Sequence, residues 1–235
     1  MIAATSGGTP EEEQPLMAHR VVKRLTSIRV LVVTLLVIST IGAAGIGLWM
    51  FIGTMGRGGT SGTPFRLVNR STWGARIPIH TTPLPHPPAT YAVIIHTASD
   101  TCDTLASCSA EVREIQKLLM DHKHFDDIAF SFLVGGDGQT YEGRGWDVQG
   151  AFARMVNNKS LGIAFIGNFD KTEPPKQQLE EAEALLEVSV KSKKLSSDYI
   201  LVAHRQVSET VSPGEALFKI LKTWPHWKDC YMESC

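Results

Sequence analysis

The stretch "VIIHTASDTCDTLASC", residues 93–108, ends an apolar, β-branched run with His96 and places Cys102 and Cys108 just after it. A histidine at a strand end is a common metal ligand, and two nearby cysteines could join it or pair with each other. A second imidazole lies far downstream in "AHRQVSETVSPG", at His204, with Ser212 eight positions later. Two histidines alone cannot complete a zinc site, which needs at least three protein ligands. The stretch is therefore either a metal-site histidine beside a disulfide or what remains of such a site. The cysteines lack the paired C-x-x-C spacing of a zinc module.

Several alternating segments position these residues. Tyr91–His96 reads as a buried strand. A helix follows, capped by Ser109, with Val112, Ile115, Leu118 and Leu119 on one stripe. "FSFLVGGDGQTYEG" gives two strands around a Gly-Asp-Gly turn. Leu161–Ile166 is a further strand, Pro175 opens a helix carrying Leu179, Ala182, Leu185 and Leu186, Tyr199–Ala203 is a strand, and Pro213–Trp224 is the last helix. This alternation predicts one α/β domain over 65–235, with a central, mostly buried mixed β-sheet and about three flanking helices.

Upstream, the chain changes character. Val30–Ile52 is a charge-free apolar run of about 23 residues, long enough to cross a bilayer core. A secretory signal peptide would have a shorter apolar core and a small-residue cleavage site, and none follows Trp49. His19-Arg20, Lys23-Arg24 and Arg29 precede the run, while only Arg57 and Arg66 follow closely. The positive-inside rule then predicts a single-pass type II plasma-membrane protein with a cytoplasmic tail at 1–29 and the C-terminal domain extracellular. Residues 53–64, "GTMGRGGTSGTP", read as a flexible stalk.

All four cysteines follow the span, where disulfides can form. Cys102 with Cys108 would staple the loop after the strand. Cys230 and Cys235 could pair with each other, with another segment or with a second chain. Asn69-Arg70-Ser71 and Asn158-Lys159-Ser160 are glycosylation acceptors at Asn69 and Asn158. The formal net charge of −1, with basic residues spread along the chain, gives no electrostatic case for nucleic acid.

Taken in order, "NRSTWGA", "YAVIIHTASDTC…SC", "FSFLVGGDGQTYEGRGW", "SLGIAFIGNF" and "AHRQVSETVSPG" resemble the peptidoglycan recognition proteins, which share a fold with phage-type N-acetylmuramoyl-L-alanine amidases. The resemblance covers about residues 65–230, and the span before it is similar to the transmembrane branch of insect immune receptors. In amidase members two histidines and a cysteine hold one zinc, and a tyrosine assists. Carried onto this sequence, the second histidine is His204, the cysteine position is Ser212, the tyrosine position is Phe130 and the first-histidine position is Ile95. His96 then matches the family's other, non-ligand histidine. A one-residue slip of the strand would rescue it as a ligand, yet would turn side chains to the opposite face. The resemblance thus implies no metal, no other cofactor and no catalytic residue.

It also implies a muropeptide groove. His96 and Thr97 match groove-lining residues. Arg144, in "EGRGW", matches the arginine that pairs with the extra carboxylate of diaminopimelic acid, and Asn157 is a further match. His124-Phe125 stand where the family sorts stem peptides, with neither usual pair. Leu119 and Phe152 replace groove histidines. Each polar ligand group left without its partner costs about 1–3 kcal/mol. The expectation is a membrane-tethered, non-catalytic member acting in innate immune sensing. It would be a receptor for muropeptide, held weakly and with diaminopimelic preference, or a regulatory co-receptor contacting other recognition proteins. The alternatives are a zinc-dependent amidase and an ectodomain that binds no peptidoglycan.

Overall fold

Residues 64–229 are described by a computed structural model. The expected tail and span, the stalk up to residue 63, and Cys230 and Cys235 lie outside the described residues. Among the described residues no helix is long and apolar enough to cross a membrane.

The elements run β1 (Leu67–Val68), α1 (Arg70–Trp73), β2 (Ala89–His96), α2 (Leu105–Lys117), β3 (Phe132–Val134), β4 (Thr140–Glu142), β5 (Ser160–Phe165), α3 (Lys176–Lys191), β6 (Leu195–Ala203) and α4 (Glu215–Leu221). The strands form one six-stranded sheet in the order β1-β4-β3-β5-β2-β6. The β3–β4 hairpin is antiparallel and every other pairing is parallel, so the sheet is mixed, as expected.

Among the described residues four α-helices are present where about three were expected around the sheet. The addition is α1, too short to carry an apolar period. It is built by its ends: the Asn69 side chain accepts from the Thr72 N–H at 2.9 Å, and Gly74 closes it at φ 79°. The start of α2 also differs. Thr104, not Ser109, caps it through a reciprocal box with Ser107, which places Cys108 and Ser109 inside the helix. Leu118, at the end of α2, falls off the stripe of Val112 and Ile115 and is 51% exposed, and a π-helical turn over Leu118–His122 follows.

Each face of the sheet is covered. On one, Ala92, Ile94, Phe132 and Phe165 pack with Leu185 and Leu186 of α3 and Leu217 of α4. On the other, Val93, Ile95, Leu133 and Ala164 pack with Trp73 of α1 and Val112 and Ile115 of α2. From Tyr91 through Ile95 the side chains of β2 alternate between the two faces, because successive residues of a strand face opposite sides; an irregularity in the pairing with β6 precedes this, between Ala89 and Tyr91. Parallel pairing on both flanks fixes the alternation, Ile95 lying opposite Ala164 and Ile94 opposite Ala203. β2 lies between β5 and the edge strand β6, and from Tyr91 onward both neighbours hold its register.

Candidate functional site

The C-terminal ends of β2 and β6 bring His96, His204 and Ser212 into one neighbourhood. Ser212 is buried, and its hydroxyl accepts the His96 backbone N–H at 3.0 Å. The Ser212 carbonyl accepts the Arg205 N–H at 2.9 Å, tying the loop before α4 to the end of β6.

The imidazole of His96 has a bond of its own. Its Nδ1 accepts the Phe169 N–H at 3.2 Å, and the two rings lie 6.5 Å apart. Since an amide can only donate, His96 carries its proton on Nε2 when neutral. Burial pushes its pKa below the usual imidazole value; Asp170 opposes this, while Arg205 and His204 add to it. Phe169 belongs to the α3/α4 face, whereas Ile95 is buried in the α2 face, where Phe130 and Phe152 also pack.

His204 lies on the Phe152 side. Its Nε2 donates to the Phe152 carbonyl at 3.0 Å, which leaves the Nδ1 lone pair buried and without a partner among the described residues. Burial lowers its pKa, and the Phe152 carbonyl offsets this in part. The Ser212 hydroxyl accepts the His96 N–H and keeps its own proton to donate, yet no hydrogen bond among the described residues joins it to that lone pair, and Ile95, Phe130 and Phe152 have no side-chain polar atom. The Phe152 ring fills the space beside β5, where a Cβ built on Gly162 would come within 2.3 Å of it. This donor set does not fit a zinc centre, which needs three ligands and an open position.

Next to this end stands a polar wall. The segment after β4 crosses over Phe130: the Gly143 N–H donates to Ser131 O at 3.0 Å and the Arg144 N–H to Phe130 O at 2.9 Å. The Arg144 side chain, half-buried, donates from Nε to the Ile128 carbonyl at 2.6 Å and from Nη1 to the Gln149 carbonyl at 3.0 Å. No hydrogen bond among the described residues involves Nη2. Burial lowers the Arg144 pKa, while Asp127 and Asp126 raise it. Asn157 closes the wall. Its Oδ1 accepts the N–H groups of Phe152 (3.1 Å) and Ala153 (2.8 Å), so it braces the loop.

Other expected site residues are placed less centrally. Thr97 Oγ1 accepts the Gly167 N–H at 2.9 Å and pairs with the Ser99 hydroxyl at 2.7 Å, so its bonds brace the strand end. His124 is exposed at φ 57° in the turn after α2, and the Phe125 N–H donates to Leu119 O at 3.0 Å. No hydrogen bond or ring contact among the described residues joins that pair to the Arg144 wall. Asn69 and Asn158 are both exposed. The expected disulfide is present: Cys102 and Cys108 are joined with Cα atoms 5.0 Å apart, both buried against the α2 face. Sequence reasoning passed over Arg70, Gln116 and Asp127, which join α1, α2 and the Arg144 wall. Nothing in the pair Asp126-Asp127 distinguishes a solvated acid from a buried one.

Comparison with known proteins agrees with this geometry. The family model for N-acetylmuramoyl-L-alanine amidase (Amidase_2) matches residues 85–215. Peptidoglycan-recognition protein SD of Drosophila simulans is 44% identical over 163 residues, covering 69% of this chain and 88% of that protein. The ectodomain complex of peptidoglycan recognition proteins LCa and LCx bound to tracheal cytotoxin superposes with a TM-score of 0.68 at 44% identity, over 70% of this chain and 99% of that one. Peptidoglycan recognition protein LE in complex with tracheal cytotoxin, a monomeric diaminopimelic acid-type peptidoglycan, gives 0.68 at 39% identity, over 69% and 95%. On this agreement of sequence and fold, the chain belongs to the peptidoglycan recognition protein family, with an amidase-like fold.

Proposed function

We propose that this chain is a membrane-tethered, non-catalytic recognition protein of innate immunity, which uses the Arg144 wall to hold diaminopimelic-type muropeptide. The side-chain parity of β2 carries the reading. Ile95, not His96, shares a face with Phe130 and Phe152, so the first-ligand position of an amidase is an apolar side chain. Ser212 supplies a neutral hydroxyl where a thiolate would be needed, and Phe130 has no hydroxyl to give.

Recognition chemistry is supported separately. Arg144 keeps its fork, held by two carbonyls with no hydrogen bond at Nη2 among the described residues, and a guanidinium suits a carboxylate better than an ammonium does. The LE structure holds a diaminopimelic acid-type ligand in the same fold. The apolar side chains at Leu119 and Phe152 lower affinity, and the LCa–LCx complex offers a precedent for a second recognition protein completing a site. The charge-free run Val30–Ile52 and its basic N-terminal flank support the tether and an extracellular domain.

The test is titration of the full chain, in lipid nanodiscs, with defined muropeptides of both stem types. The reading expects diaminopimelic preference with affinity weaker than about 1 μM, unless a related receptor is added. Tight lysine-type binding, or no binding of either stem with or without a related receptor, would overturn the receptor reading; the second outcome would leave a purely regulatory ectodomain.

A further inference from the structure

The N-terminal entry to the domain is tied to the Arg144 wall by a buried polar network. Asp127 is the hub, with its side chain 3% exposed. Its Oδ2 lies 2.9 Å from Arg70 Nη1, and its Oδ1 accepts from Arg70 Nη2 at 3.1 Å and from Gln116 Nε2 of α2 at 2.7 Å. The same Arg70 guanidinium donates to the Gly143 carbonyl, one residue before Arg144, and to the Arg76 carbonyl at 2.8 Å. Two more bonds hold the segment to α1: Trp73 Nε1 donates to Glu142 O at 2.9 Å, and the Arg70 N–H to Glu142 Oε2 at 3.3 Å. Ile128, whose carbonyl holds Arg144 Nε, directly follows Asp127 in the chain.

A forked guanidinium bridging one carboxylate and two carbonyls fixes all three in relation to each other. Here it fixes both strips of backbone that aim Arg144: residues 142–144, which carry it, and 127–128, which receive its Nε–H. We infer that Arg70 is a positioning residue for ligand recognition, holding Arg144 in the orientation that presents Nη2 to the carboxylate of a muropeptide stem. Arg70 does not touch the ligand. It acts through the backbone on either side of Arg144. Asp127 also lies near the Arg144 charge and favours it, as the directions of the Arg144 shift indicate.

This inference rests on Arg144 as the carboxylate-reading group, and the test separates the two claims. Arg70→Lys keeps a charge beside Asp127 but lacks the fork. In the ligand-free full chain in micelles, hydrogen exchange at the Arg144 Nε–H should accelerate about tenfold in Arg70→Lys, because its carbonyl acceptor is no longer held in place. Titration should show the preference for diaminopimelic over lysine stems falling about tenfold, with lysine-stem affinity nearly unchanged. Arg144→Ala should abolish the same preference, and the double variant should lose no more than Arg144→Ala alone. If Arg70→Lys does not fold, Asp127→Asn serves the same comparison. A protected Nε–H with the preference intact, equal weakening of both stems, or additive losses in the double variant would overturn the inference. If Arg144→Ala leaves the preference untouched, the recognition reading falls and takes the specificity role of Arg70 with it. Should neither stem bind, the recognition reading falls likewise, and the Nε–H exchange alone decides whether Arg70 orients Arg144.

Discussion

The β2/β6 end of the domain and the Arg144 wall are built in different ways. At the β2/β6 end, every position that would grip a metal is apolar, or already bonded within the chain, or reduced to one lone pair on His204. At the Arg144 end, the buried Asp127 carboxylate holds Arg70 and Gln116, and Arg144 is held beside them by the Ile128 and Gln149 carbonyls. The apolar cluster of Ile95, Phe130 and Phe152 and the charged wall use different backbone supports, so one can change while the other stays. The wall hangs on α1, α2 and the 127–131 strip; the other end hangs on β2, β6 and the loop before α4.

Breaking the wall should cost most. Asp127→Ala leaves Arg70 facing a void and should destabilise the domain by about 3–5 kcal/mol, read from urea unfolding midpoints. At the other end Phe152→Ala should cost about 2 kcal/mol, below the usual figure for a fully buried phenylalanine because the ring is half-buried. Ser212→Ala removes the acceptor of a buried N–H and should cost about 1–2 kcal/mol. If Ser212→Ala proved worse than Asp127→Ala, the ranking of the two ends would be reversed.

A smaller effect should appear with pH. Burial holds the folded-state pKa values of His96 and His204 below the ordinary imidazole value. The unfolded chain therefore takes up protons first as pH falls below about 6.5, so stability is complete above that value and declines down through the lowered folded pKa values. His204→Gln should flatten part of this slope in urea midpoints taken between about pH 7 and pH 5. An unchanged slope would mean that His204 does not contribute to it.

Much of this contrast was legible in the sequence, for identifiable reasons. The α/β alternation and the hairpin around Gly-Asp-Gly follow from strand and turn chemistry, and the ligand positions Ile95, Phe130 and Ser212 follow from the family resemblance. The parity of β2 could be argued from sequence, but only its pairing with β5 and β6 fixes it. Apart from one helix cap, what stayed hidden was non-local. The Thr104 cap is a local signal that was misjudged, since Thr104 and Ser107 form the box three residues apart. Arg70, Gln116 and Asp127 are different: their bonds span 57 residues (Arg70 to Asp127) and 11 (Gln116 to Asp127), and no local pattern announces them. Asn157 was read as a groove residue, and its Oδ1 proves to brace the Phe152 loop.

The central claim is that this chain holds muropeptide without cutting it. The most direct test incubates the full chain, and separately Ser212→Cys, with zinc and diaminopimelic-type muropeptide, and follows the release of stem peptide by mass spectrometry. The account predicts no release from either protein, because Ile95 stays apolar even when the thiol is restored. Stem-peptide release by the unaltered chain, abolished by a chelator, would contradict it.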